Sequence, residues 1–199
     1  MSDIDIKITP VGDGATGKTS MLTSYTNKTV PQNHVATVFD NYSACVTVNN
    51  QQVTLNLADT AGQEDFESIR ALCYPGTNVF LCVFAVNDRT SFENIASKWM
   101  KELHEKDKVK SSIGVPIIIV GNKIDLRNSV PCVSKEEGNA LLRRMQQVYG
   151  ELRSISYMEC SALKSTGLKE IFDEAIKRHL QALYQSRKAK GANGKCNIL

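Results

Sequence analysis

Short apolar runs alternate along this chain with stretches in which apolar residues recur every third or fourth position, the pattern of an α/β fold. Residues 4–9 predict a first strand that runs into a glycine-rich turn and then a helix from about Lys18. Residues 43–48 and 53–58 predict two strands joined by Asn49-Asn50-Gln51-Gln52, an antiparallel pair on an otherwise parallel sheet. Residues 79–86 and 116–121 are unbroken apolar runs, as expected of strands buried on both faces. Residues 156–160 predict a sixth strand. Among the helices, Ser91 predicts the N-cap of one reaching about Glu105, and Ser134-Lys135-Glu136-Glu137 has the spacing of a capping box. Leu168, Ile171, Phe172, Ala175, Ile176 and Leu183 mark one face of a last helix. Pro10 ends the first strand, in what becomes the sheet interior. Proline brings no N–H to a ladder, so the strand is expected to stop at or just before it.

Composition narrows the classes. The 199 residues suit one domain with a tail, placed here as 1–184 and 185–199. No apolar run approaches the ~18–20 residues of a membrane span, and the acidic start Met1-Ser2-Asp3-Ile4-Asp5 is unlike a secretory leader. Cys45, Cys73, Cys82 and Cys160 lie in or beside apolar runs without metal-type spacing, which predicts small buried hydrophobes in a reducing cytosol and not disulfides. Cys132 is a candidate loop thiol. A net charge of +3 does not imply nucleic acid. Arg187, Lys188, Lys190 and Lys195 gather among Gly191, Asn193 and Gly194, which predicts a flexible basic tail.

The chemistry sits at the ends of predicted strands. Gly12-Asp13-Gly14-Ala15-Thr16-Gly17-Lys18-Thr19 fits G-x-x-x-x-G-K-[ST] between a strand and a helix, with Ser20 next in line. Small residues let successive backbone N–H groups curl around phosphate oxygens, and a helix N-terminus adds partial positive charge. Lys18 is expected to reach the outer phosphates and Thr19 to ligate Mg²⁺. Alone, the loop does not tell GTP from ATP. Asp59-Thr60-Ala61-Gly62-Gln63-Glu64 follows the strand 53–58. Asp59 is placed to hold Mg²⁺ through water, Gly62 to offer its N–H to the terminal phosphate, and Gln63 to orient an attacking water. Asn122-Lys123-Ile124-Asp125 follows the run 116–121. A carboxylate at Asp125 can accept both guanine N1–H and N2–H, a donor pair that adenine lacks. In Cys160-Ser161-Ala162-Leu163, the Ala162 N–H is a donor for guanine O6 and Ser161 a brace for the loop.

These four motifs, in this order, resemble those of the Ras-superfamily GTPases. Thr37-Val38-Phe39-Asp40-Asn41-Tyr42-Ser43, Ser68-Ile69-Arg70 with Tyr74-Pro75-Gly76, and Ser91-Phe92-Glu93-Asn94 with Lys98-Trp99 resemble the Rho family in particular. The resemblance implies a six-stranded, mostly parallel sheet with one antiparallel edge strand and about five helices, binding nucleotide at the strand carboxyl ends. It implies a monomeric switch that hydrolyses GTP to GDP. Thr37 would be a Mg²⁺ ligand only in the GTP state, and the switches would lie at about residues 32–42 and 62–73. Effectors would read Val38, Phe39, Asp40, Asn41 and Tyr42, with Phe66 in the second switch. Implied partners are exchange factors, GTPase-activating proteins, a Rho-type dissociation inhibitor and effectors, cytoskeletal ones among them.

Departures from the family pattern matter too. Val30 stands where the family has an aromatic against the guanine, which predicts fast GDP release. His34 replaces a tyrosine, Ala36 a proline and Phe66 a tyrosine. His34 reads most simply as a solvated loop residue. The segment between Asp125 and Ser134 is too short for the extra charged helix of Rho proteins, whereas 105–114 and 146–155 look long. No arginine lies between Pro31 and Tyr42, so hydrolysis should be slow until a partner supplies one. A scaffold that stays loaded with GTP is the alternative reading. A phosphate-loop ATPase or kinase is disfavoured by Asp125. Cys196-Asn197-Ile198-Leu199 has the C-a-a-X form, and its final Leu favours geranylgeranylation. With the basic cluster as a second signal, this predicts peripheral anchoring on the cytoplasmic face of a membrane, the plasma membrane by preference.

Overall fold

The two unbroken apolar runs form neighbouring interior strands of the sheet. A computed structural model describes residues 4–27, 39–48, 51–60, 62, 67–107, 114–150 and 153–193. The strands are β1 (Ile4–Val11), β2 (Phe39–Val48), β3 (Gln51–Thr60), β4 (Val79–Ala85), β5 (Ile117–Asn122) and β6 (Ile155–Glu159), in the order β2-β3-β1-β4-β5-β6. Only the β2–β3 pair is antiparallel. The helices are α1 (Lys18–Asn27), α2 (Glu67–Cys73), α3 (Arg89–Asn94), α4 (Met100–Asp107), α5 (Lys135–Tyr149) and α6 (Leu168–Asn193). A π-helical turn, Ile95–Trp99, joins α3 to α4, so the two form one column. This is the architecture of a phosphate-loop small G domain.

Every residue of β4 and β5 is buried. Alternate side chains feed two cores, one on each face of the sheet. Leu81, Val83, Ile118 and Val120 pack with Met21 and Leu22 of α1 and with Phe172 and Ile176 of α6. Phe80, Cys82, Ile117 and Ile119 pack with Trp99, Leu103 of α4 and Met145 of α5. β2, at the sheet edge, alternates exposed and half-buried positions instead. Cys45, expected to be buried, therefore points outward and is exposed, whereas Cys73, Cys82 and Cys160 are buried free thiols.

Three local expectations change. β1 runs through Pro10 to Val11, with Pro10 opposite Leu81 of β4. In a strand, a residue's nitrogen and carbonyl face the same neighbour. The Pro10 carbonyl accepts from Thr60 Oγ1 of β3 (2.7 Å), so its nitrogen faces β3 as well. The β1–β3 ladder has already ended at Ile8 opposite Leu57, so no N–H is needed there. Second, Asp88, not Ser91, caps α3, accepting from the Thr90 and Ser91 N–H groups. Ser91 is buried, and its hydroxyl is bonded to the Asp88 carbonyl and the Ala85 N–H. Third, α6 continues to Asn193, past the expected start of the tail at residue 185. The capping box at Ser134 and Glu137 forms as its spacing predicts. Only a 3₁₀ turn, Ile124–Leu126, is helical between Asn122 and Lys135. Among the described residues, no helix is long and apolar enough to cross a membrane.

Gly138 tests the packing of α5 on the sheet. A Cβ there would lie 2.1 Å from Tyr157 Cζ and 2.3 Å from its hydroxyl, which is itself bonded to Glu159. In an open helix, Gly→Ala stabilises by roughly 1 kcal/mol. Here the overlap reverses the sign, and Gly138→Ala is expected to cost about 1–3 kcal/mol in urea denaturation.

Candidate functional site

β1 has β3 on one side and β4 on the other, so the chain leaves it in opposite directions across the sheet. At such a switch point the parallel strands open a crevice beyond their carboxyl ends. Four of the sequence motifs follow the carboxyl ends of β1, β3, β5 and β6 and meet there.

The loop after β1 is shaped by backbone contacts that only small residues permit. Gly12 has φ +145°, and a Cβ there would lie 2.0 Å from the Val83 carbonyl oxygen of β4. Ala15 is left-handed at φ 58°. A Cβ on Gly62 would lie 2.5 Å from Asp13 C and Gly14 N, so the segment after β3 rests directly on the loop. Thr16 is buried, and its hydroxyl donates to the Asp13 carbonyl. Gly14 and Ala15 are exposed at the loop's tip, and Thr19 and Ser20 are half-buried at the start of α1. Lys18 threads back through the loop, donating to the Gly12 and Asp13 carbonyls at 2.8 Å each. Burial pulls its pKa down to about 8, against the raising pull of Asp59 and Asp13.

Asn122, at the end of β5, ties this loop to its neighbours. Its amide donates to the Thr16 carbonyl (2.9 Å), and its oxygen accepts from the Ala162 N–H (3.1 Å) and the Cys160 thiol. Lys123 takes a left-handed turn (φ 67°), and its side chain runs close to Gly17. Asp125 is half-buried and accepts the Ser161 hydroxyl at 2.5 Å. Ser161 Oγ also accepts the Lys164 N–H, so one hydroxyl fixes both the carboxylate and its loop. Ala162 is buried and Leu163 exposed. Arg127 forks onto Glu159 (2.8 and 2.6 Å), which also accepts the Tyr157 hydroxyl, clamping the loop after β5 against β6.

Asp59 is fully buried at the end of β3, close enough to Lys18 to oppose the lowering of that lysine's pKa by burial. Its carboxylate and the Thr19 hydroxyl are hard oxygen donors that suit Mg²⁺. Among the described residues, no cluster of three His, Cys, Asp or Glu side chains could hold a metal. A cation held here would complete its shell from phosphate and water, as Mg²⁺ does.

Sequence reasoning missed what holds Asp13. Its carboxylate accepts Trp99 Nε1 and Asn94 Nδ2, each at 2.7 Å, so the side chain belongs to the helical column and the loop keeps only its backbone. It also missed Arg70, fully buried in α2. Arg70 lies 4.7 Å over the Trp99 ring and forks onto Glu102, which accepts the Tyr74 hydroxyl at 2.5 Å. The partner of Arg70 lies 32 residues away, where no local pattern records it. On β2, Asp40 and Asn41 are exposed and Tyr42 half-buried; Phe39 begins the strand. Val30, His34, Ala36, Thr37, Val38, Gln63, Phe66 and Cys196 lie outside the described residues.

A glycine-shaped loop around Lys18, a buried carboxylate beside it and the Asp125–Ser161 pair, gathered at the carboxyl ends of one sheet, fit a guanine-nucleotide-binding G domain. The chain matches the model of the Ras family over residues 7–181 and belongs to that family, the small GTPases that switch between guanine-nucleotide states.

Two expectations follow. Below about pH 8, Lys18 is protonated whether the chain is folded or unfolded, and the fold bears the full cost of burying it. Between pH 8 and the ordinary 10.5 the unfolded chain holds more protons, so this group adds stability as pH rises. The buried Cys82 and Cys160 thiols, whose pKa values burial raises, act in the opposite sense. The readout is therefore a difference: nucleotide-free wild type should gain stability relative to Lys18→Met across that window in urea titrations. Separately, Ser161→Ala should weaken GDP binding roughly five- to tenfold in calorimetry, the worth of about one hydrogen bond.

Proposed function

We propose that this chain is a Rho-type GTP switch: it binds GTP or GDP with Mg²⁺, hydrolyses GTP slowly and signals to effectors from a membrane surface. What carries the reading is the convergence of the phosphate loop, Lys18, Asp59 and Asp125 on one sheet edge. The loop amides and Lys18 would hold the phosphates and stabilise negative charge as it spreads in the transition state. Asp125 would select guanine, with the Ala162 N–H at O6. Asp59, Thr19 and, in the GTP state, Thr37 would hold Mg²⁺, which when bound neutralises charge between the outer phosphates. Gly62 would donate its N–H to the terminal phosphate, and Gln63 would align the attacking water.

The Rho assignment rests on the sequence of the first switch and of residues 91–99. Effectors would read the exposed β2 residues Asp40 and Asn41 together with Val38, Phe39 and Tyr42. Val30 leaves the base less covered, which favours quick exchange. Residues 1–184 would form the G domain. The basic residues from 185 onward and a geranylgeranyl group on Cys196 would hold the protein on the cytoplasmic face of a membrane, within reach of exchange factors, activating proteins and a dissociation inhibitor.

The test is nucleotide competition followed by single turnover. GDP should displace a fluorescent guanine nucleotide in Mg²⁺, and ADP should not. GTP should be hydrolysed slowly, faster by roughly 10³- to 10⁵-fold when a partner arginine is supplied, and Gln63→Leu should abolish turnover. Equal competition by ADP would overturn the guanine assignment.

A further inference from the structure

The Asp13–Trp99–Arg70 line joins two parts of the molecule that the switch reading treats separately. At one end is the phosphate loop: Asp13 gives its carbonyl to Lys18, its backbone to Gly62 and its carboxylate to Trp99 and Asn94. At the other end is α2, the helix that follows Gly62 and Gln63. Arg70 is held there by the bidentate Glu102 pair and shares Glu102 with Tyr74. Between them stands Trp99, fully buried, its indole N–H on Asp13 and its ring under the Arg70 guanidinium. The contacts are directional. The indole N–H can serve only one acceptor, and the guanidinium is forked onto one carboxylate. A shift of Asp13 therefore moves the ring beneath Arg70, and a shift of α2 moves the guanidinium above it.

We propose that Trp99 and Arg70 are positioning residues for hydrolysis: through Asp13 they tie the placement of α2, and with it Gln63, to the phosphate loop. The proposal rests on the switch reading and deepens it. The chain between Gly62 and α2, which carries Gln63, is then anchored at both ends, by the backbone contact of Gly62 on the loop and by Arg70 through Trp99. Misplacing a water-orienting group by as little as an ångström slows the chemistry while ground-state phosphate contacts survive. Loss of the line should therefore lower the rate and leave GDP affinity in place.

Trp99 is the only tryptophan, so its emission reports on the line directly. Wild type loaded with GDP should differ in Trp99 fluorescence from the same protein loaded with a non-hydrolysable GTP analogue. Two variants break the line at different links, Glu102→Gln without changing volume and Trp99→Phe at the cost of a small cavity. Glu102→Gln removes the charge that fixes Arg70. Trp99→Phe keeps a ring under Arg70 but loses the donor to Asp13. Each, checked for folding by circular dichroism, is expected to slow single-turnover hydrolysis about tenfold with GDP affinity within about twofold of wild type. In Glu102→Gln the difference in Trp99 emission between nucleotide states should shrink, and Glu102→Asp should restore part of the rate. The proposal is overturned if both variants hydrolyse GTP within twofold of wild type, if GDP affinity falls in step with the rate, or if Trp99 emission is the same in both states. GDP binding by wild type separates the outcomes: its absence sinks the switch reading itself, whereas tight GDP binding with a silent Trp99 sinks this inference alone.

Discussion

The site depends on the side chain of Asn122. It is buried at the end of an interior strand, where an amide must find partners for both its donor and acceptor atoms or impose a large desolvation cost. It finds them in two different loops, donating to the one that follows β1 and accepting from the one that follows β6. Because β5 is itself buried on both faces, this crosslink is anchored in a fully packed strand. The loop after β1 and the loop after β6 are thus held at a set separation by one residue.

Two arginine clamps brace the flanks of that crevice in the same way. Glu102 and Glu159 each take a forked guanidinium and a tyrosine hydroxyl, from Arg70 and Tyr74 on one side and from Arg127 and Tyr157 on the other. A buried or half-buried ion pair contributes little net stability unless its remaining polar atoms are satisfied, and in both clusters the tyrosine supplies an additional bond to the carboxylate. What such a cluster contributes is geometry. One holds α2 against the column of α3 and α4, and the other holds the loop after β5 against β6.

Much of this was legible in the chain. The runs at 79–86 and 116–121 announced doubly buried strands because no polar residue interrupts them, and the phosphate loop was legible because its glycines answer to backbone contacts that any added atom would violate. The cap of α3 was misread because two capping residues stand three positions apart; Asp88 takes the cap, and Ser91 turns inward onto the end of β4. Pro10 was misjudged because the end of a ladder on one side of a strand leaves no trace in that strand's own residues. Cys45 was placed inside on the strength of its apolar neighbours, although alternation on an edge strand puts it outside. The tether on Asp13 was illegible for a different reason: it joins residues 81 and 86 positions apart, and no local pattern records such a pairing.

The π-helical turn gives that tether its shape. In an ordinary helix, side chains five positions apart diverge by about 140° around the axis. In a π turn the hydrogen bond spans five residues, which brings position i+5 nearly over position i. Asn94 and Trp99 are such a pair, and both reach the same carboxylate. The bulge works as a phase shifter, an added step that rotates the indole into line with the amide and leaves α4 downstream in a new angular setting. Regularising those five residues into α-helix would swing Trp99 out of phase with Asn94 and unhook Asp13 without any substitution in its loop.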